Sequence, residues 1–282
     1  MKLGIGLPAG DPDVLLDWAR RADAGPFSTL GLLDRLVWSN PEPLVALAAL
    51  AGATARIRLQ TEVLLAPLRG TALLAKQVAT LDRLSGGRFT LGVGIGGRED
   101  DDIAAGVPST GRGLRLDDQL ATVRRLWSGE PMPSPTGPSG PIGPAPLRPG
   151  GPEILVGAFR EAALARVARY GDGFLCAAAP SWAGPLVATV ERQWAEAGRA
   201  GRPRIVGQLN VGLGPFAEAA RDAIGDYYAF TGDPARMTAG LLTAPGAVRA
   251  AVGAFEDLGA DEVVLYCWCT DPDQLDGLAE LA

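Results

Sequence analysis

Glu62 stands inside an otherwise mostly apolar run, Ile57 to Leu65. A carboxylate there points either outward to a covering helix or inward to a cavity. Inward burial would raise its pKa and make it a proton-transfer group. Asp34-Arg35 follows the second apolar run, Ser28 to Leu33. That pair could polarise or protonate a substrate, or it could be a surface ion pair that contributes little. Gly92-Val93-Gly94-Ile95-Gly96-Gly97 contains G-x-G-x-x-G directly after a strand-like run. Glycines at a strand end let a pyrophosphate or a flat ring approach the backbone closely. Here the acidic stretch Glu99-Asp100-Asp101-Asp102 follows and would repel a phosphate, so a flat ring is the better fit. Ile154 to Arg160 runs through a small-residue turn into a helix. Free N–H groups at a helix N-terminus bind phosphate and Arg160 could add a charge, although a plain βα turn has the same pattern.

The residue types that are missing narrow the chemistry further. The chain has no histidine, which removes Ser-His-Asp and Cys-His catalysis and histidine-ligated metal sites. Lys2 and Lys76 are its lysines, one at a strand start and one on a surface-type helix, so a Schiff-base lysine is not expected. Cys176, Cys267 and Cys269 fit reduced thiols, and Cys267 with Cys269 reads as packing rather than a metal site. A net charge of -6 without a basic cluster argues against nucleic acid and against an anionic membrane surface. Leu44 to Ala55 is too short to cross a bilayer, and Met1 to Pro8 does not read as a signal peptide, so a cytoplasmic protein is expected. A chain so poor in polar catalysts, if it is an enzyme, borrows its chemistry from a cofactor.

The elements that must position these residues alternate regularly. Apolar runs at Leu3–Leu7, Ser28–Leu33, Ile57–Leu65, Arg88–Ile95, Glu153–Gly157, Gly173–Ala177, Ile205–Leu213 and Glu262–Cys267 read as strands. Helical spacing falls between them, as in Val14–Ala24, Thr71–Leu84 and Arg112–Trp127. Phe216–Leu242 reads as a helix broken at Gly232-Asp233-Pro234. Eight such repeats in 282 residues predict a single-domain α/β fold, a (β/α)8 TIM-type barrel. Pro131–Pro152 is rich in Pro and Gly and reads as an insertion loop. In a barrel the active site lies at the C-terminal strand ends, which here include Asp34-Arg35, Glu62–Pro67, Gly94–Asp102, Gly157–Arg160, Cys176–Ala179, Asn210–Gly214 and Tyr266–Cys269. Asp82–Arg88 joins helix to strand at the opposite end and reads as structural.

Taken together, Ala75-Lys76-Gln77, Leu81-Asp82-Arg83-Leu84-Ser85-Gly86-Gly87-Arg88-Phe89, Leu91–Gly94, Ala105–Pro108 and Ala168–Gly173 resemble the bacterial luciferase-like family of flavin- and deazaflavin-dependent oxidoreductases. The resemblance covers nearly the whole chain and is most specific over Leu81 to Gly94. It implies coenzyme F420 or FMN at the barrel mouth, a bulge near Glu62-Val63 that often holds a non-proline cis peptide, and a cofactor phosphate at Gly157-Ala158. It also implies that Pro131–Pro152 forms part of a lid, and that two copies pair through helices near strands two and three. The cofactor is accordingly expected against Glu62, Val63, Gly94, Gly96, Gly157, Ala158, Phe159, Arg160 and Cys176. Asp34, Arg35 and Glu62 are the candidates for catalysis, and Asp34→Asn is expected to lose most turnover while still binding cofactor.

The chain departs from the family at this mouth. Arg35 stands where many deazaflavin-dependent members carry histidine, Gly97 stands where some carry an acid, and Glu62 replaces a commonly small residue. The expected activity is hydride transfer between reduced F420 or FMN and a small organic substrate, or monooxygenation with FMN. The alternatives are a flavin-binding protein without turnover and an NAD(P)-dependent Rossmann enzyme built on Gly92–Gly97.

Overall fold

The computed structural model describes residues 1–9, 11–132, 137 and 140–282. Its strands are β1 (Lys2–Gly6), β2 (Thr29–Leu32), β3 in two pieces (Arg58–Thr61 and Leu64–Leu65), β4 (Phe89–Gly94), β5 (Glu153–Gly157), β6 (Gly173–Cys176), β7 (Arg204–Val211) and β8 (Glu262–Cys267). Each pairs in parallel with the next. β8 then returns to β1, with Leu3 opposite Val263 and Ile5 opposite Leu265. The sheet is therefore a closed (β/α)8 barrel, as the eight repeats predict. The two pieces of β3 meet at a cis peptide between Glu62 and Val63.

The helices are α1 (Leu15–Ala24), α2 (Pro43–Ala53), α3 (Thr71–Leu84), α4 (Glu99–Ala105), α5 (Arg112–Trp127), α6 (Glu161–Tyr170), α7 (Pro180–Glu196), α8 (Ala217–Tyr228), α9 (Pro234–Thr238), α10 (Pro245–Asp257) and α11 (Gln274–Ala279). α1 shows why they form: Leu15, Trp18, Ala19 and Ala22 share one buried face at helical spacing. α2 begins where the Glu42 carboxylate accepts the Val45 N–H at 2.7 Å and Pro43 occupies the first turn. α3 stops at Gly86 and Gly87, both with positive φ. Among the described residues no helix is long and apolar enough to cross a membrane.

Alternation along the strands sorts residues into two cores. Leu3, Ile5, Leu30, Leu59, Leu91 and Ile154 face the helices and form the larger one. Leu155, Leu175, Val206, Val264 and Tyr266 form a second cluster inside the barrel. The N-terminal end of the barrel is closed by charge. Arg204 bridges Glu153 and Glu262, Ser28 donates to Glu262, and Arg58 donates to Thr90. Glycine is required where strands crowd this interior. A Cβ on Gly92 would overlap the Thr61 carbonyl oxygen and come within 2.7 Å of Leu175 Cδ1. Gly92→Ala therefore has to push a backbone group of the adjacent strand. It is expected to lower the urea midpoint by an amount equivalent to about 3 kcal/mol, the upper range for overpacking. An unchanged midpoint would show slack between β3 and β4.

The loop expectation needs correction. The described part of residues 131–152 packs at the N-terminal end of the barrel, away from the mouth. Lys76 donates to Gly143 O at 2.8 Å, the Leu147 N–H donates to Asp82 at 2.7 Å, and Arg148 reaches Gly87 O. The physical reason is direction: a connection from helix to strand emerges where strands begin, so the described part of this segment does not cover the mouth. Residues 133–136 and 138–139 of it lie outside the described residues. The mouth is roofed instead by α8, α9 and the turn between them. The sequence reading also passed over α4, noting its four acidic residues only as a stretch that would repel a phosphate.

Candidate active site

The C-terminal ends of the strands enclose a cavity of about 430 Å³. Its floor is Val63, flanked by Gly94 and Gly157. A Cβ on Gly94 would lie 2.5 Å from Val63 Cγ2, and one on Gly157 would lie 3.0 Å from Val63 Cγ1. The missing side chains leave a flat bed. Leu65, Ile95, Leu116, Val156 and Leu175 supply apolar walls. At one end the Gly157–Arg160 turn opens into α6, whose N-cap residue Arg160 makes no side-chain capping bond. The free N–H groups of that first turn can therefore take an anion. Arg166 also lines this cavity and is steadied by Asp117 at 2.7 Å. A flat apolar slot with cations and helical N–H groups at one end fits a flavin-type ring carrying a phosphate.

Glu62 points inward and is buried at the inner end of the slot. One carboxyl oxygen accepts a hydrogen bond from the Gln60 amide, and the other has no partner among the described residues. Burial pushes its pKa up to about 8, with the Gln60 hydrogen bond opposing the shift. At neutral pH it is a carboxylic acid with a proton to give.

A second chamber of about 220 Å³ adjoins the slot across Glu62, Phe159, Ala177 and Gln208. Tyr227, Tyr228, Tyr266 and Trp268 wall it. These rings are fixed by their neighbours. Trp268 Nε1 donates to Asn210 at 2.9 Å, Tyr266 Oη accepts the Leu33 N–H at 2.9 Å, and Tyr227 sits 5.0 Å from Trp268. A wider space of about 520 Å³ below α9 leads outward.

Most of the expected cofactor residues line the slot: Glu62, Val63, Gly94, Gly96, Gly157, Ala158, Phe159 and Arg160. Cys176 does not. It is buried among the residues between barrel and helices, because strand alternation turns it outward and presents Ala177 to the cavities instead. Cys267 is turned outward in the same way. The closed barrel also removes the Rossmann alternative. Gly92–Gly97 ends the fourth strand of eight, and an acidic helix follows it.

Asp34 and Arg35 line neither the slot nor the chamber, and they do not pair with each other. Asp34 accepts the Leu65 N–H at 2.8 Å and the Arg69 guanidinium at 2.7 Å. Burial raises its pKa and Arg69 draws it back. Arg35 pairs with Asp101 at 2.7 Å, and Asp101 also accepts the N–H groups of Leu36 and Val37. Its guanidinium lies 5.5 Å from the Tyr227 ring centre. Both residues therefore hold parts of the mouth in position. Asp34→Asn is now expected to cost about 2 kcal/mol in urea unfolding, reduced from the fully buried case because Arg69 is partly exposed. Its kcat is expected to fall less than roughly tenfold, a loss smaller than acid–base catalysis usually supplies. A much larger fall in kcat at unchanged stability would restore the catalytic role.

The sequence reading missed Arg166, Gln208, Tyr227 and Tyr228. Gln208 could have been found from strand register, since Arg204, Val206 and Gln208 alternate onto the inner face. Nothing local marks Tyr227 and Tyr228, which come from the helix that roofs the mouth.

The luciferase-like monooxygenase family model matches residues 3–266 of this chain. The uncharacterized protein Rv0953c of Mycobacterium tuberculosis is 36% identical over 170 residues, covering 58% of this chain and 60% of that protein. The chain thus spans under two thirds of the curated relatives it matches. The monooxygenase RslO1 from Streptomyces bottropensis shares the fold with a TM-score of 0.80 at 23% identity, covering 99% of this chain and 98% of that one. An F420-dependent secondary alcohol dehydrogenase, solved with an F420-acetone adduct, aligns with a TM-score of 0.83 at 18% identity over 100% of this chain and 98% of its own. Agreement of the family model over nearly the full length with a closed barrel and a slot at its mouth places this chain in the luciferase-like monooxygenase family.

Proposed function

We propose that this protein is an oxidoreductase that moves a hydride between F420 or FMN and a small organic substrate, with Glu62 carrying the proton. The observation that carries the reading is the Glu62 carboxyl itself. It is buried, holds its proton at neutral pH, has one oxygen free, and lies on the wall shared by the slot and the aromatic chamber. Val63, Gly94 and Gly157 would bed the ring, and the Gly157–Arg160 turn with Arg166 would hold the phosphate. The bound cofactor would supply the hydride. Glu62 gives its proton to the substrate oxygen as the substrate carbon gains the hydride, so a carbonyl becomes an alcohol. The walls keep water out, and Glu62 is reprotonated before the next turnover. A homodimer packed through α2 belongs to the same reading, since Val45 on that helix is exposed.

A flavin-binding protein without turnover has no use for a buried proton carrier, and an isolated buried carboxyl is destabilising once ionised. Titration of the purified protein with F420, FMN and NADPH, followed by fluorescence, tests the reading. Micromolar binding of F420 or FMN is the expected result. FMN alone would move the reading towards oxygenation. Binding of neither would overturn it.

A further inference from the structure

Gln208 lies where three spaces meet: the slot, the aromatic chamber and the outer space below α9. Among the described residues its carboxamide has no hydrogen-bond partner, unlike Asn210 two residues on, which is spent on Trp268. A free amide and the free oxygen of Glu62 thus sit at one junction. Such groups exchange poorly with an apolar occupant and well with a single polar atom.

The chamber beyond them has a definite chemistry. Tyr227, Tyr228, Tyr266 and Trp268 give it aromatic walls, and no lysine or arginine lines it among the described residues. An anionic substrate would find no counter-charge there. Aromatic walls also suit cations, but the Arg35 guanidinium already lies over the Tyr227 ring and takes up that face. The volume of about 220 Å³ is the size for one substituted ring, since a cavity near 150 Å³ already holds benzene.

We infer that this chamber takes an uncharged, single-ring substrate whose one carbonyl or hydroxyl oxygen is held between the Glu62 carboxyl and the Gln208 carboxamide. The inference rests on the oxidoreductase reading above and gives it a substrate class. Gln208 is a binding residue in it: the amide N–H donates to the substrate oxygen and fixes which carbon faces the slot.

Calorimetric titration with three matched probes, acetophenone, benzoate and benzylammonium, tests it on the full chain. Each is run with saturating F420, with saturating FMN and with neither. Acetophenone is expected to bind, and benzoate and benzylammonium to bind at least roughly tenfold more weakly, the factor that follows from losing one favourable polar contact. Gln208→Leu should weaken acetophenone by a similar factor. Ala177→Leu, which extends a side chain from the shared wall without touching the core, should block it. Preference for benzoate or benzylammonium overturns the substrate class, and unchanged acetophenone affinity in both variants overturns the chamber assignment. If F420 or FMN binds and acetophenone does not, only this inference fails. If neither cofactor binds, the oxidoreductase reading fails whatever the ring does.

Discussion

Glu62→Gln is expected to lower turnover by about 10²–10³-fold while F420 or FMN affinity stays within a few fold, because the change removes a proton and little else. Glutamine keeps the shape and can still meet Gln60, so the bed under the ring is undisturbed. In the wild type, carbonyl reduction needs Glu62 protonated. The rate is therefore expected to be level below pH 8 and to fall above it, following the raised pKa of about 8. The reverse direction, alcohol oxidation, needs the carboxylate and should rise through the same pH. In Glu62→Gln that limb disappears from both profiles. A variant that keeps its rate and its limb near pH 8 would exclude Glu62 as the proton carrier.

The same group makes a separate prediction about stability. The Glu62 pKa is higher in the folded chain than in the unfolded one, where it is near 4.5. The folded state thus holds one more proton over that interval, and its stability falls as pH rises from about 4.5 to about 8. Converted at the usual value per pH unit, the whole effect is on the order of 5 kcal/mol. Glu62→Gln removes the penalty. It should unfold at a higher temperature than the wild type at pH 7 and show a smaller loss between pH 5 and pH 8. Loss of activity together with gain of stability marks a residue kept for chemistry, and a merely structural residue would lose both.

Eight strands were legible because each is an apolar run bounded by turns, and closure followed from their number. The bed of the slot was legible too: Gly94 and Gly157 belong to local patterns, and the Glu62-Val63 bulge came with the family resemblance. What escaped depends on contacts between distant segments. Asp34 looked catalytic because it ends a barrel strand, yet its carboxylate is taken by Leu65 and Arg69, residues 31 and 35 positions away. The lid reading of residues 131–152 came with the family resemblance, but the end of the barrel that their described part reaches is fixed by chain direction. Tyr227 and Tyr228 reach the chamber only because α8 folds over the mouth, and no spacing within that helix announces it. Glu62 lay between two readings, inward and outward, until the register of β3 put it inside.

Gly94→Val is the second variant expected to have a large effect, and Gly97→Val is its control. Gly94 ends β4 with an ordinary backbone conformation, so valine introduces no strain in the chain itself. Its Cβ, however, would fall 2.5 Å from Val63 Cγ2. Val63 is only half-buried, and the direction in which it can yield is the slot. The clash is therefore relieved into the bed of the ring and not into the core. Overpacking of this kind costs about 1–3 kcal/mol, so cofactor affinity is expected to fall by roughly 10- to 100-fold with little change in the unfolding midpoint. Gly97 also lines the slot, but a Cβ there meets nothing within 4 Å. Gly97→Val should leave affinity within a few fold. The contrast separates two uses of the same glycines. In a dinucleotide fingerprint the third glycine is needed for close helix–strand packing, so both substitutions would be damaging. In a bed for a flat ring only the glycine beneath the ring matters. Equal losses in the two variants, or retained affinity in Gly94→Val, would show that the ring does not lie on Val63.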